Sequence, residues 1–167
     1  MRIRPYISNL DFDEIRNWIT DERTHSLWCA NRFQYPLVQE DFEDKLTEMK
    51  LKYGETPFVA TTDEGKVVGF FCYSLDLFSN EGMLKFIMVS PECRGKGYGR
   101  QMVSLAVKYA FEITKADMVH LNVFSNNIKA IKCYLSVGFL ERSITDNAFR
   151  FDNEIWKRCN MAIRKNT

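Results

Sequence analysis

The sequence has few residues of the kinds that build metal centres and disulfide frameworks. Its five cysteines are odd in number and form no Cys-x-x-Cys pair, and its two histidines lie far apart, at positions 25 and 120. We therefore expect no zinc site, no other metal and no set of structural disulfides. Scattered cysteines of this kind are typical of a cytoplasmic protein, in which thiols stay reduced.

The sequence also lacks a long apolar run and a strong net charge. No stretch approaches the roughly 20 apolar residues that a membrane span needs, and the first residues show no apolar core of a signal peptide. The 23 basic and 22 acidic residues give a formal net charge of +1. We therefore expect neither a nucleic acid nor a membrane as a partner.

The composition and the apolar patterning instead predict one globular domain over residues 1–167. The chain is 46% hydrophobic and 14% aromatic, which is enough for a substantial core. The pattern indicates an α/β (α+β) fold with about six or seven strands and about four helices. Strands are predicted at 2–6, 58–62, 67–75, 83–89, 118–124, from 139 and at 156–163, and helices at 12–19, 41–50, 101–115 and 127–135. Residues 20–36 are predicted to be irregular, and residues 145–154 to form a polar loop.

A glycine-rich loop follows the predicted strand at 83–89. Positions 94–100 carry Arg-Gly-Lys-Gly-Tyr-Gly-Arg, directly before a predicted helix. Glycines let the backbone approach a ligand, and a helix start adds unpaired N–H groups and a positive dipole end. With three cations among them, these groups predict a site for an anion, most simply a phosphate or pyrophosphate. The spacing fits neither the dinucleotide fingerprint nor the Walker loop.

Two motifs carry a resemblance to a known family. The pattern Arg-x-x-Gly-x-Gly at positions 94–99 resembles the acetyl-CoA signature of the GNAT N-acyltransferase superfamily. The pattern Asn-x-x-Ala-x-x-x-Tyr-x-x-x-Gly-Phe at positions 127–139 is similar to the second signature of that family, at the required spacing. The order of the predicted elements matches as well. Trp18 and the ending at 156–161 resemble the branch that acetylates N-termini of ribosomal proteins.

The resemblance implies that acetyl-CoA is the cofactor and lies between two splayed parallel strands. The backbone of residues 87–89 would bond the pantetheine arm, and the N–H groups of residues 95–100 would hold the pyrophosphate. The side chain of Asn127 would contact the cofactor arm, and Tyr134 would stand near the sulfur. The residues implied for cofactor binding are Ile87, Met88, Val89, Arg94, Gly95, Lys96, Gly97, Tyr98, Gly99, Arg100, Asn127 and Tyr134.

The implied reaction moves an acetyl group from acetyl-CoA to a primary amine, on a small molecule or at a peptide N-terminus. The amine would attack directly in a ternary complex, while the N–H of Ile87 polarises the acetyl carbonyl. A phenol near the sulfur can donate a proton to the departing thiolate, which assigns the general acid to Tyr134. Cys93 and Cys133 are interpreted as structural, because no histidine accompanies either in sequence.

The general base is less well defined. Positions at which family members carry a glutamate are occupied by Met83 and Asn122. Glu81 lies two residues before Met83, on the same face of the strand, and is the leading candidate. His120, two residues before Asn122, is interpreted as a strand histidine that is satisfied at the surface, and a chain of water molecules that ends in backbone carbonyls is the alternative base.

The acceptor is expected on the side built by the first helices and the loop between the closing strands. In these parts of the chain, acidic residues lie beside aromatic ones. Such a combination suits a cationic amine, and it equally suits an ordinary surface loop. These residues are Asp21, Glu22, Trp28, Phe33, Tyr35, Asp146, Asp152 and Glu154. The protein is expected to be a monomer or a homodimer.

Two other function classes stay open. The absence of a glutamate at positions 83 and 122 is compatible with a CoA-binding sensor or interaction domain with reduced catalysis. A regulatory domain that binds ATP or a similar nucleotide could use the same glycine loop.

Overall fold

The computed structural model describes residues 1–165, through which one seven-stranded sheet runs in the order β1-β2-β3-β4-β5-β7-β6. Its strands are β1 (Arg2–Pro5), β2 (Thr56–Thr61), β3 (Val67–Asp76), β4 (Glu81–Val89), β5 (Met118–Phe124), β6 (Leu140–Phe151) and β7 (Glu154–Arg164). Its helices are α1 (Ser8–Asn17), α2 (Glu22–Cys29), α3 (Gln39–Tyr53), α4 (Tyr98–Glu112) and α5 (Ile128–Val137). The predicted mixed α/β fold is thereby confirmed.

The sheet is antiparallel except at its centre. β4 and β5 form the parallel pair, and α4 connects them, so the predicted βαβ unit is present. Among the described helices, none combines the length and the apolar character that crossing a membrane requires.

Helices cover the two faces of the sheet with separate cores. α4 and α5 pack on one face, where the core includes Leu84, Val103 and Phe139. α1, α2 and α3 pack on the other face, where Phe42 and Phe70 are fully buried. Because side chains alternate along a strand, the inner strands contribute to both cores and read as almost continuously apolar.

Two parts of the chain differ from the prediction. α2 lies within residues 20–36, which the sequence predicted to be irregular. The side chain of Asp21 caps the start of this helix. The helix ends at Ala30, which adopts the left-handed region (φ 49°) that a glycine usually occupies. The predicted polar loop at 145–154 is also wrong, because β6 continues to Phe151 and pairs with β7 up to Glu154. Pairing with β7 therefore outweighs the polar composition of that stretch.

Candidate functional site

The central feature of the site is an opening between the two parallel strands. β4 and β5 pair from Glu81–Met118 to Leu84–Leu121 and no further. Beyond that point β4 stays with β3, up to the pair Gly69–Val89, while β5 stays with β7. Within residues 1–165, the backbone edge of β4 that faces β5 is therefore without a strand partner over residues 85–89. Such an edge can accept an extended ligand with amide groups.

A β-bulge lies in the same stretch of β4. Cys72 of β3 pairs with Lys85 and Phe70 pairs with Met88, so one residue of β3 opposes two of β4, and Phe86 has a φ of +51°. The bulge breaks the alternation, since Lys85 and Phe86 both contact the α1–α3 side. Trp28 Nε1 donates a hydrogen bond to the Phe86 carbonyl at 2.8 Å, which fixes the bulge from the side of α2.

The glycine loop leads into α4 on the opposite face. Gly95 (φ +74°) and Gly97 (φ +83°) adopt the left-handed region that glycine favours. Gly97 is the N-cap of α4, and the N–H of Gln101 makes the first helical bond, to Gly97 O at 3.1 Å. The N–H groups of residues 98–100 therefore have no partner within the helix and point outward at its positive end. Around them the three predicted cations, Arg94, Lys96 and Arg100, are exposed.

Two contacts hold this loop against the opening. Arg94 Nε donates to the carbonyl of Val89 at 3.2 Å, which ties the loop to the end of β4. A Cβ atom added at Gly99 would lie 3.3 Å from Cys133 Sγ and 3.5 Å from Val89 Cγ2. A side chain here would crowd Cys133, so the glycine helps α4 to begin close to α5 and β4. The predicted cofactor-binding residues of the loop and of β4 thus lie together.

The second motif lies beside the same opening, on α5. Asn127 is the N-cap of α5, and its side-chain oxygen accepts from the Ala130 N–H at 3.3 Å. Tyr134 is buried, and this burial raises the pKa of its phenol well above the ordinary value. The nearby Cys133 side chain raises the same pKa further, by a smaller amount. Its hydroxyl makes no hydrogen bond to any of residues 1–165. A neutral phenol with an uncommitted proton suits a general acid.

Glu81 and its neighbours form a separate polar cluster. Glu81 accepts from Arg142 of β6 at 2.9 Å, at the far end of β4 from the bulge. Asn160 Nδ2 donates to the Asn122 side chain at 2.9 Å and lies 3.2 Å from His120 Nδ1. The pKa of His120 is lowered, first by its burial.

The face opposite the glycine loop carries a cleft of about 410 Å³. Its walls come from the end of α2, from α3, from the middle of β4 with its bulge, from the end of β5 and from Arg158 within β7. The sequence did not single out this set, because its members are scattered along the chain. The charged residues that line the cleft are Arg32, Lys45, Lys52, Lys85 and Arg158, with Glu48 and Glu55.

Several carboxylates that the sequence placed near the acceptor are committed to other contacts. Asp21 accepts from the N–H and the hydroxyl of Thr24, at 2.7 and 2.8 Å, as the cap of α2. Glu154 accepts from Arg23 and from Trp156 Nε1. Two of the predicted aromatic residues contact β4: Trp28, which also lines the cleft, through its indole N–H, and Phe33 through the ring of Phe86, at 4.9 Å between centroids.

The cleft wall also contains a cysteine that contacts a histidine. Cys29 Sγ lies 3.3 Å from His25 Nε2, and His25 Nδ1 lies 3.3 Å from Asn31 Oδ1. The order resembles that of a nucleophilic triad. However, both side chains are buried, and burial raises the pKa of Cys29 and lowers that of His25. The thiol also sits at the negative end of α2. The electrostatics therefore disfavour a thiolate and favour a packing role.

Comparison with known proteins gives relatives among acetyltransferases. The spermine/spermidine N(1)-acetyltransferase of Bacillus subtilis (strain 168) is 32% identical over 82 residues, which are 46% of this chain and 54% of that protein. The 5-NmdU N-acetyltransferase of Pseudomonas phage PaMx11 is 25% identical over 126 residues, 75% of this chain and 85% of that protein. The chain spans about half the length of the first of these relatives.

A solved structure confirms the fold. Spermidine N-acetyltransferase from Vibrio cholerae, in complex with CoA and spermine, superposes with a TM-score of 0.82 over 98% of this chain and 94% of that one, at 22% identity. The model of the acetyltransferase (GNAT) family matches residues 12–139. This match includes the opening, the glycine loop and the second motif. The chain therefore belongs to the acetyltransferase (GNAT) family.

Proposed function

We propose that the protein is an acetyl-CoA-dependent N-acetyltransferase, in which a primary amine attacks directly in a ternary complex. The observation that carries this proposal is the opening between β4 and β5. It connects the anion-binding loop on one face of the sheet with the cleft on the other. A cofactor held by the loop can therefore present its acyl group to an acceptor in the cleft. The family match supports the same reaction.

The residues on the loop side fit acetyl-CoA. Three outward N–H groups at residues 98–100, with Arg94, Lys96 and Arg100 nearby, suit a pyrophosphate. The free backbone edge at 85–89, which contains the predicted residues Ile87, Met88 and Val89, suits the amides of the pantetheine arm. Asn127 would stand next to that arm. When bound, acetyl-CoA supplies an acyl carbonyl that its thioester bond has already activated.

Two residues would act on the reacting atoms. The N–H of Ile87, next to the left-handed Phe86, would donate to the acetyl oxygen as negative charge develops there. Tyr134 would donate its proton to the sulfur as the carbon–sulfur bond breaks and the carbon–nitrogen bond forms. Because burial raises the pKa of Tyr134, the phenol holds this proton throughout the neutral range.

The proton that the amine loses needs an acceptor. Glu81 stays a prediction for this role, and two features count against it. It is ion-paired with Arg142, and it precedes Ile87 by six positions of β4, about 20 Å at the usual rise per residue. We propose instead that the amine releases its proton to water in the open cleft.

A single assay tests the proposed function. The purified protein is incubated with acetyl-CoA and a panel of amines, polyamines, amino acids and short peptides, and free CoA thiol is measured. We expect acceptor-dependent release of thiol and an acetylated amine of matching amount. Thermal shift with acetyl-CoA, CoA and ATP accompanies the assay. Stabilisation by CoA without turnover of any acceptor would support the sensor alternative, and stabilisation by ATP alone would support the nucleotide-binding one.

A further inference from the structure

The charge of the acceptor cleft is strongly uneven. Its lining holds five cationic side chains and two carboxylates, although the whole chain is nearly neutral at +1. A cleft with walls of one sign concentrates ligands of the other sign, since the low-dielectric walls focus the field. The lining therefore carries information about the acceptor that the overall composition does not.

Both carboxylates of the cleft are already neutralised by a neighbour. Glu48 forms an ion pair with Lys45 at 3.0 Å, one helical turn away on α3. Glu55 is buried and forms an ion pair with Lys85 of β4, whose ammonium also lies 5.0 Å from the Tyr53 ring centroid. Each carboxylate of the described lining is thus matched by a cation of the same lining. The second oxygen of Glu55, Oε2, makes no hydrogen bond to the described residues, but it is buried, and the Glu55 side chain is only 2% exposed.

Three cations of the lining remain: Arg32 after α2, Lys52 near the end of α3, and Arg158 on β7. None of them forms an ion pair with any of residues 1–165. The pKa of Lys52 is raised, mainly by a hydrogen bond with the Tyr53 side chain. The positive charge of Arg32 acts to lower the same pKa, so Arg32 and Lys52 lie close enough for their charges to interact. Arg158 is opposite Phe124 in the sheet, at the end of β5 where the opening lies.

We propose that the acceptor is an amine that also carries an anionic group, a carboxylate or a phosphate, which Arg32, Lys52 and Arg158 bind. This inference rests on the proposed function and names the substrate class of the same site. Guanidinium groups bind carboxylates and phosphates through two parallel hydrogen bonds, and an ammonium adds a point charge. A polyamine would instead bring further positive charge to a cleft that already has an excess of it, which is unfavourable.

The same cations favour the reactive form of the acceptor. An amine attacks only after it has lost a proton, and nearby positive charges lower the pKa of an amine. The cleft would thus hold the acceptor by its anionic group and bias its amine toward the neutral state. This helps to explain how the site can work without a glutamate at position 83 or 122.

Paired acceptors that differ by one anionic group test the inference. The pairs are putrescine and ornithine, histamine and histidine, and glucosamine and glucosamine 6-phosphate, so that carboxylate and phosphate are tested separately. We expect kcat/KM for release of CoA thiol to be about ten- to a hundredfold higher for the anionic member of at least one pair. Preference for the cationic member in every pair, or for spermidine over all of them, would overturn the inference and leave the acetyltransferase intact.

Binding decides the question if no acceptor in the panel turns over. Each compound is titrated calorimetrically into the protein–CoA complex at low and at moderate salt. We expect the anionic members to bind more tightly, and salt to weaken them. Absence of turnover with this binding preference would contradict the proposed function and not the acceptor class, whereas tighter binding of the cationic members would contradict the acceptor class.

A matched pair of variants assigns the effect to the cleft. Arg158→Gln removes an exposed cation of the lining, and Arg150→Gln removes an exposed arginine of β6 that does not line it. We expect Arg158→Gln to reduce the preference for the anionic acceptor about tenfold while the affinity for CoA stays unchanged. Arg150→Gln should retain the preference. Equal loss in the two variants would mean that the general field of the surface, and not the cleft, selects the acceptor.

Discussion

The two sides of the β4–β5 opening are built in different ways. On the loop side, a ligand would meet mainly backbone groups: the N–H groups at the start of α4 and the free edge of β4. These groups come from one continuous stretch, residues 85–100, with α5 behind it. On the cleft side, a ligand would meet side chains that come from α2, α3, β4 and β7 and lie up to 131 positions apart, from Leu27 to Arg158.

This difference separates what the fold determines from what it leaves free to vary. A backbone site depends on glycines and on the path of the chain, so it keeps its chemistry wherever the fold is kept. A side-chain site changes with single substitutions, so relatives with the same loop side can accept different amines. The names of the relatives agree with this, since they include a spermine/spermidine and a 5-NmdU N-acetyltransferase.

The largest effect is expected at the proposed proton donor, which lies on the α4–α5 side of the sheet. Tyr134→Phe keeps the packing and removes the proton donor, so kcat should fall by about 10²- to 10⁴-fold. Because the ring stays in place, the affinity for CoA measured by titration should not change. Turnover at the wild-type rate would show that another group, or water, protonates the leaving sulfur.

The next largest effect concerns the floor of the cleft. Glu55→Gln leaves the Lys85 ammonium without its partner, and urea denaturation should show a loss of about 2–3 kcal/mol. The value is below that of a fully buried pair because the Lys85 side chain is 23% exposed.

The control is the double variant Glu55→Gln/Lys85→Met, which removes both charges together. It should recover most of the lost stability, since neither charge is left uncompensated. Equal destabilisation of the single and the double variant would mean that the pair contributes through packing and not through charge.

The loop side is tested by a substitution at a left-handed glycine. Gly97→Ala should cost about 1–2 kcal/mol of stability because of its φ of +83°. If the start of α4 holds the pyrophosphate, it should also weaken binding of CoA about tenfold. Gly65→Ala, in the β2–β3 turn at φ +89°, carries the same strain away from the site and should leave CoA affinity unchanged. A CoA affinity that falls equally in both would point to general destabilisation.

A smaller effect is expected where the cleft side supports β4. Trp28→Phe removes the hydrogen bond to the Phe86 carbonyl and keeps a ring in the aromatic cluster. A bulge that is held less firmly should lower kcat about two- to tenfold, with little change in KM for acetyl-CoA. Trp156→Phe loses an equivalent indole hydrogen bond, to Glu154, without touching β4, and should keep kcat. A parallel loss in both variants would remove the positioning role of Trp28.

The smallest effect concerns the link between α2 and β7. Arg23 and the Trp156 indole lower the pKa of Glu154 to about 2, from its ordinary value of 4.5. A pKa that is lower in the folded state stabilises the fold fully above pH 4.5, and this contribution is lost as the pH falls toward 2. The Tm of the wild type should therefore exceed that of Glu154→Gln at pH 6, and this difference should nearly disappear at pH 2. A constant difference across that range would contradict the ion pair.

The sequence predicted the strand, the glycine loop and the helix that build the loop side, because their signals are local, whereas what the loop binds stays a prediction. The alternating glycines, the cations between them and the helix that follows are adjacent in the chain, and the strand at 118–124 coincides with β5. The parallel pair follows from this order by the usual handedness and connection rules. No comparable pattern marks the bulge at Phe86, because it depends on the register with β3 and on a contact from Trp28.

The cleft side could not be predicted from the sequence. α2 has few apolar residues and ends without a glycine, so its periodic signal is weak. The acidic residues near it suited a cationic acceptor and an ordinary surface loop equally, and Asp21 and Glu154 are used as a helix cap and in an ion pair. The cations that remain free come together only when α2, α3 and β7 are placed around the opening.

A crystal structure of the protein with CoA tests the two-sided site most directly. We expect the pyrophosphate on the N–H groups of residues 98–100, and the sulfur between β4 and β5 within hydrogen-bonding distance of the Tyr134 hydroxyl. The cleft with Arg32, Lys52 and Arg158 should stay free for the acceptor. Phosphate groups of CoA bound by these three cations would contradict the assignment of both sides.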